Sequence, residues 1–322
     1  MTQAPETPTT QDLHSKYPLG EAATADIERM RGLVSHAINN HETYTVGIVG
    51  YCARPGLAQR AEIMDESSQI AEVSDPENRL IALHRGPMWK PRTKPEDWHG
   101  EETTDPDGAY VTMRDQAELY ANLAVEIGHR YHLPRYGHLL SFMWTGGRNV
   151  GDNDLIKAAA LENPTIPLGI KNGLDGTTDQ ALEQVARATE LRGPNDAPVV
   201  LIYRGGLKAS SPSEWEKAVI DVHEETDGRF LLDTAHGTEM AHDPGRLFGK
   251  SVDGQVLAVY AMNRLAQRGY APAGSMMEAS RLESPTDPHM PLAIALEGVK
   301  EQHKLKVSYI DSRFMQARSS YP

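Results

Sequence analysis

The chain has a single cysteine, Cys52, in 322 residues. An internal disulfide is thereby excluded, and the thiol usage fits a reducing compartment. Basic charge is also short: 32 Lys and Arg stand against 45 Asp and Glu, a formal net charge of -13. A surface of that sign repels a polyanion at long range, so nucleic acid is not an expected partner. Long apolar runs are missing too. A-P-V-V-L-I-Y (197–203) falls far short of the roughly 20 residues of a membrane span. The first residues lack a basic segment followed by an apolar core, so no secretory leader is expected. The reading is of a soluble, cytoplasmic protein with no membrane partner. No short repeat and no linker divides the chain.

What is there is an alternation. Residues 1–16 are polar and rich in Pro and Thr, and are expected to form a mobile arm. Residues 21–40 have helical spacing, with Ile27, Met30, Leu33, Val34 and Ile38 on one face. Arm and helix make a first unit, 1–41. From 42 to 322, strand patterns alternate with helical ones. Strands are expected at 45–52, 78–85, 137–145, 166–172, 199–204, 229–236 and 274–278. Helices are expected at 113–130, 152–161, 177–192, 213–225 and 251–268, while 60–73 reads as helical or irregular. A further β-like run, K-V-S-Y-I-D, ends at Asp311. Such alternation implies parallel βαβ units, and this many units favour a closed α/β barrel over an open sheet.

In a barrel of this kind, chemistry collects at the C-terminal ends of the strands. Two sets of residues fall there. Arg85, Lys90, Arg148, Lys171 and Arg204 leave separate strands as cations. A small polyanion such as a phosphorylated carboxylate requires that arrangement, since Arg grips both group types bidentately. Cys52, His236, Glu278 and Asp311 offer a thiolate, an imidazole and two carboxylates, a mixed shell for divalent manganese, iron, cobalt or zinc. Taken singly, each residue has a plainer reading. Cys52 fits a small core position, His236 a satisfied polar group, the carboxylates surface charge and the cations caps on carbonyls. Spacing alone leaves that choice open.

The order of short motifs narrows it. Along the chain come G-Y-C (50–52), K-P-R-T (90–93), G-G-R (146–148), G-I-K-N-G (169–173), R-G-G (204–206), D-T-A-H (233–236), M-M-E-A-S (276–280) and Y-I-D (309–311). In this order they are similar to the motifs of the class I 3-deoxy-D-arabino-heptulosonate 7-phosphate (DAHP) synthases, and K-Y-P-L-G-E-A-A (16–23) resembles that family's N-terminal extension. The chain resembles a divergent, shortened member over residues 15–312.

The resemblance implies a (β/α)8-type TIM barrel and a metal-dependent, aldol-type condensation of phosphoenolpyruvate with erythrose 4-phosphate, releasing phosphate. It implies Cys52, His236, Glu278 and Asp311 as ligands of Mn2+, Fe2+, Co2+ or Zn2+. Arg85, Lys90, Arg148, Lys171 and Arg204 would hold phosphoenolpyruvate, and Arg92, Thr93 and Thr165 the aldose phosphate. Lys90 and His236 would serve catalysis. A homo-oligomer, dimer or tetramer, and a place in the shikimate pathway of aromatic amino acid biosynthesis are implied as well.

The sequence departs from the family pattern in three places. Residues 135–148 have room for one strand where the family has a strand, a helix and a strand, so a βα unit is missing or modified. The family's excursion before R-G-G is absent, and the chain ends too soon after Y-I-D for the family's closing helix. These departures favour as an alternative a paralogue of specialised metabolism with another acceptor or donor, or a non-catalytic ligand-binding homologue.

Overall fold

The computed structural model describes residues 21–50, 60–84, 137–146, 151, 153–162, 164–172, 178–204, 211–235, 252–280 and 290–319. Strands are β1 (Thr45–Gly50), β2 (Leu80–His84), β3 (Met143–Gly146), β4 (Leu168–Lys171), β5 (Val199–Tyr203), β6 (Phe230–Asp233) and β7 (Gly274–Glu278). Helices are α1 (Glu21–Asn39), α2 (Arg60–Val73), α3 (Gly137–Leu140), α4 (Asn153–Glu162), α5 (Thr178–Leu191), α6 (Pro212–Thr226), α7 (Val252–Gln267) and α8 (Leu292–Ser319). The strands are short and almost wholly buried, as expected of a parallel sheet covered on both faces. Local chemistry sets several ends. In α6, Ser211 Oγ accepts the Glu214 N–H at 3.3 Å, Pro212 occupies the first turn, and Asp227 closes the helix in the left-handed region.

All pairings are parallel, and the order is β2-β1-β7-β6-β5-β4-β3. That is the cyclic order of a curled barrel, with β2 and β3 at the two ends of the described sheet and residues 85–136 between them outside the described residues. An exposed strand edge invites pairing with another chain, and here the edge of β2 is covered. Leu80 exchanges backbone hydrogen bonds with Asp75 at 2.9 and 2.8 Å. The next edge-facing residue, Ala82, donates its N–H to Ser74 Oγ at 3.2 Å, and its carbonyl meets His138 Nδ1 at 2.8 Å. Among the described residues, a turn, a hydroxyl and an imidazole satisfy this edge.

Strand parity sorts the core into two layers. Val46, Ile48, Ile81, Leu83, Ile202 and Met276 pack on the inner side against Met30, Val34 and Ala37 of α1, which fills the curl. Leu80, Ala82, Leu168, Ile170, Leu232 and Met277 face the outer helices. The last helix lies close: a Cβ on Gly47 would stand 2.6 Å from Val299 Cγ1, so β1 needs glycine beneath α8.

Two expectations are corrected. Residues 137–145 are not one strand: 137–140 form a helical turn, and the strand begins at Met143. The turn is held by its partner, since the Gly137 N–H donates to Asp26 Oδ2 at 2.9 Å. The run K-V-S-Y-I-D is also not a strand but part of α8, a helix of 28 residues, so a closing helix is present after all. Val299, Gln302 and Lys306 are buried on it at helical spacing, and that packing overrides the local alternation.

Candidate active site

The same parity that builds the core aims charged groups inward at the C-terminal ends of the strands. Counting two residues on from the inward-facing Gly169, Ile202, Leu231 and Met276 gives Lys171, Arg204, Asp233 and Glu278. All four are buried, at 2 %, 6 %, 0 % and 1 % exposure. Charges are kept out of water at such cost only when paired or when a ligand is to meet them.

Lys171 and Asp233 form an ion pair between strands separated by β5. The Lys171 ammonium also stands 5.0 Å from the centre of the Trp144 ring, whose π-face attracts a cation. Asp233 Oδ1 accepts the Ala235 N–H at 3.0 Å, which fixes the carboxylate. Arg204 is held from the backbone: its N–H donates to Asn172 Oδ1 at 2.7 Å. Gly146 ends β3 at φ 94, where a Cβ would collide with the Lys171 carbonyl oxygen, so β3 and β4 lie close at their ends. The arrangement is a buried rim with two cations on adjacent strands, Lys171 paired with the Asp233 carboxylate.

Of the residues expected at the site, Lys171, Arg204 and Glu278 share this inner end of the sheet. Cys52, Arg85, Lys90, Arg92, Thr93, Arg148 and His236 lie outside the described residues. Lys171 ends β4 and Arg204 follows the adjacent β5, while Glu278 ends β7.

Two expected residues are elsewhere. Thr165 sits in the turn before β4, exposed, accepting a hydrogen bond from Arg31 Nη1 at 3.2 Å. That is the N-terminal end of the strand, opposite Lys171. Asp311 is exposed on α8, beyond Lys306, whose ammonium binds the carbonyls of Tyr44 and Pro272 just before β1 and β7. It therefore lies at the opposite end of the sheet from Glu278, and the two cannot share one ion. The expected four-residue metal shell does not close. Among the described residues no group of three or more metal-capable side chains occurs. Glu278 itself, an inward carboxylate at a strand end, fits one donor position. The segment 281–289 lies outside the described residues, but its flanks, Ala279 and Met290, are bridged at this end, and its sequence carries Glu283 and Asp287.

Sequence reasoning missed a second buried polar group, on the outer side of the same rim. Ser280 Oγ donates to Glu66 Oε1 at 2.7 Å, and His84 Nε2 stands 3.8 Å from Glu66 Oε2. These residues tie α2 to the ends of β2 and β7. The available signal was a Glu-Ser pair inside a stretch that read as either helix or irregular structure.

No protein-family model and no curated protein matches the chain. Solved structures do. One is phospho-2-dehydro-3-deoxyheptonate aldolase from Francisella tularensis, with a TM-score of 0.69 and 16% identity, covering 96% of this chain and 99% of that one. A truncated DAHP synthase from Thermotoga maritima aligns with a TM-score of 0.50 and 16% identity, over 83% of this chain and 88% of the other. Another Thermotoga maritima DAHP synthase structure aligns with a TM-score of 0.52 and 16% identity, over 83% and 70%. Strand order, parity and these likenesses agree: the chain has the fold of the DAHP synthases, a shortened (β/α)8 barrel with seven strands among the described residues.

Proposed function

We propose that the protein is a DAHP synthase-type enzyme that condenses phosphoenolpyruvate with an aldose phosphate, erythrose 4-phosphate, and releases phosphate. One observation carries the reading: Lys171 and Arg204, buried cations of adjacent strands, stand on the same inner rim as the buried carboxylates Asp233 and Glu278. A doubly charged donor binds to the cationic arc, where Arg204 offers bidentate donors and Lys171 a point charge. Asp233 holds Lys171 in place until substrate arrives, and Trp144 walls the ammonium on one side. In this reading Arg85, Lys90 and Arg148 complete the grip on phosphoenolpyruvate, and Arg92 and Thr93 take the acceptor phosphate.

In the condensation, the methylene carbon of phosphoenolpyruvate forms a bond to the aldehyde carbon, the aldehyde oxygen takes a proton from Lys90, water adds at the neighbouring carbon that carries the phosphate ester, and that carbon's bond to the ester oxygen breaks as phosphate departs. Positioning in a site without bulk water supplies much of the acceleration. A divalent cation held by Glu278, with Cys52 and His236 from the adjacent strand ends, would contribute Lewis-acid polarisation of the aldehyde. Asp311 takes no part.

A second reading is favoured by the short stretch 135–148, where the described residues hold one helical turn and one strand in place of the family's strand, helix and strand. With that wall of the site altered, the acceptor is an aldehyde other than erythrose 4-phosphate. A homo-oligomer remains part of the proposal. Among the described residues no helix is long and apolar enough to cross a membrane.

The test is phosphate release from phosphoenolpyruvate with erythrose 4-phosphate and a panel of other aldehydes, each with added Mn2+, Fe2+, Co2+ or Zn2+. Release with erythrose 4-phosphate supports the first reading, and release with another aldehyde alone supports the second. No release with any aldehyde and any metal sinks both.

A further inference from the structure

At the N-terminal ends of the strands, opposite the rim described above, lies a cavity of about 490 Å³. Its walls come from the turn before β1 (His41, Glu42), the end of α6 (His223, Asp227), the end of α7 and the turn before β7 (Ala266, Gly269, Ala271), and the middle of α8 (Lys306, Tyr309, Ile310, Arg313). Four nitrogen-bearing side chains face two exposed carboxylates, in a chain whose overall charge is -13.

The cavity's two carboxylates act on its base only from a distance: Glu42 raises Lys306, and Asp227 and Glu42 raise His41, but burial outweighs them. Lys306 is buried at 3 % exposure and gives two of its three N–H donors to the carbonyls of Tyr44 and Pro272, at 2.6 and 2.9 Å. Among the described residues no carboxylate stands within ion-pair distance of it. His41 is buried at 9 % exposure, and its ring makes no hydrogen bond among the described residues. A buried ammonium with a donor to spare and a buried imidazole with no partner are both costly. Either cost is removed by a bound acceptor carrying negative charge. Arg313, exposed at the mouth beside Tyr309, adds a second cation.

We infer that this cavity is a ligand site for a small organic oxyanion, a phosphate monoester or a carboxylate, received by Lys306, Arg313, His41 and His223. Tyr309, Ile310, Ala266 and Ala271 meet the organic body, which a cavity of this size admits. The setting agrees: burial holds the Lys306 ammonium down to about 7 and lowers both imidazoles, so an arriving anion restores charge where the fold resists it. The site lies on the other end of the sheet from the proposed reaction and does not depend on it.

Two probes with one body and different heads, phenyl phosphate and benzoate, are titrated separately into the full-length protein while histidine side-chain NMR signals are followed. His41 and His223 report from inside the cavity, so binding at the strand-end rim is not mistaken for binding here. The expected result is saturable movement of both signals with at least one probe, weakened at least about tenfold by Arg313→Glu and by Lys306→Met. Arg313 is exposed, so its variant keeps the argument testable if Lys306→Met fails to fold. Saturation by phenyl phosphate alone assigns phosphate monoesters, and by benzoate alone carboxylates. Movement that never saturates with either probe, or that Arg313→Glu leaves unchanged, overturns the inference.

Discussion

Lys171 and Lys306 are buried lysines at opposite ends of one sheet, and the molecule treats them differently. Lys171, at a strand's C-terminal end, faces a carboxylate and an aromatic ring. Lys306, by the N-terminal ends, is bound by backbone carbonyls and held by burial to about 7. Arg192 repeats the second pattern. Its guanidinium donates to the carbonyls of Ala160, Ile166 and Ala197 at 3.2, 3.0 and 2.7 Å, and burial lowers it to about 10. The difference separates two uses of a buried cation. At the C-terminal end, the charge is matched by a carboxylate. At the N-terminal end, the same kind of side chain satisfies turn carbonyls that would otherwise be buried without donors, and Lys306 has one further donor left over.

Breaking the pair at the C-terminal end has the largest expected effect. Lys171→Met lowers phosphoenolpyruvate-dependent phosphate release by about a thousandfold or more. It also costs about 3–5 kcal/mol in urea unfolding, because Asp233 is left buried with a charge and no cation. Adding Asp233→Asn recovers stability but not turnover. If turnover survives Lys171→Met, the functional side of the comparison fails.

Arg192→Met inverts the outcome. Three carbonyls lose a donor, and stability falls by about 2–4 kcal/mol while kcat/KM measured below the new Tm stays within about twofold of the parent. A loss of turnover at unchanged stability would erase the distinction between the two ends.

The pH dependence of stability sharpens the comparison further. Lys306 has a folded pKa of about 7 against an ordinary value of 10.5. Between those values the unfolded chain binds more protons than the folded one, so stability rises with pH across that window. Below about 7 the whole penalty is present. His41, His223 and His303 are lowered from 6.5, chiefly by burial, and extend the same trend to the acid side. Urea midpoints at pH 7 and pH 9.5 should differ in the wild type and draw together in Lys306→Met.

The smallest effect is expected at Asp311. Asp311→Asn leaves phosphate release and its metal dependence unchanged within about twofold, since an exposed carboxylate at the far end of the sheet touches nothing in the reaction. Loss of metal-stimulated release would return Asp311 to the site and refute its placement.

Much of the frame was legible along the chain. The runs T-V-G-I-V-G and V-V-L-I-Y, apolar on both faces, announce central parallel strands, and the alternation with helices announces the curl. The inward positions of Lys171, Arg204 and Glu278 follow from the same two-residue period. Where local pattern misled, a distant contact had decided the matter. Tyr309-Ile310-Asp311 has the look of a strand end, but the buried face of Val299, Gln302 and Lys306 holds this stretch in a helix on which Asp311 is exposed. Gly137 and His138 look like a strand start, but Asp26 and the edge of β2 hold them in a turn. Thr165 stands shortly before a strand, and sequence order could not tell which end of the sheet it serves.

The sequence by itself determined the central strands and most of the helices and, through parity, which charged residues face inward, because those depend on neighbours a few positions away. The tertiary structure alone decided the cyclic order of the described strands, that an imidazole and a hydroxyl satisfy the edge of β2, and that Glu278 and Asp311 lie at opposite ends. Those outcomes turn on contacts between residues tens or hundreds of positions apart, whose free energies no local pattern encodes.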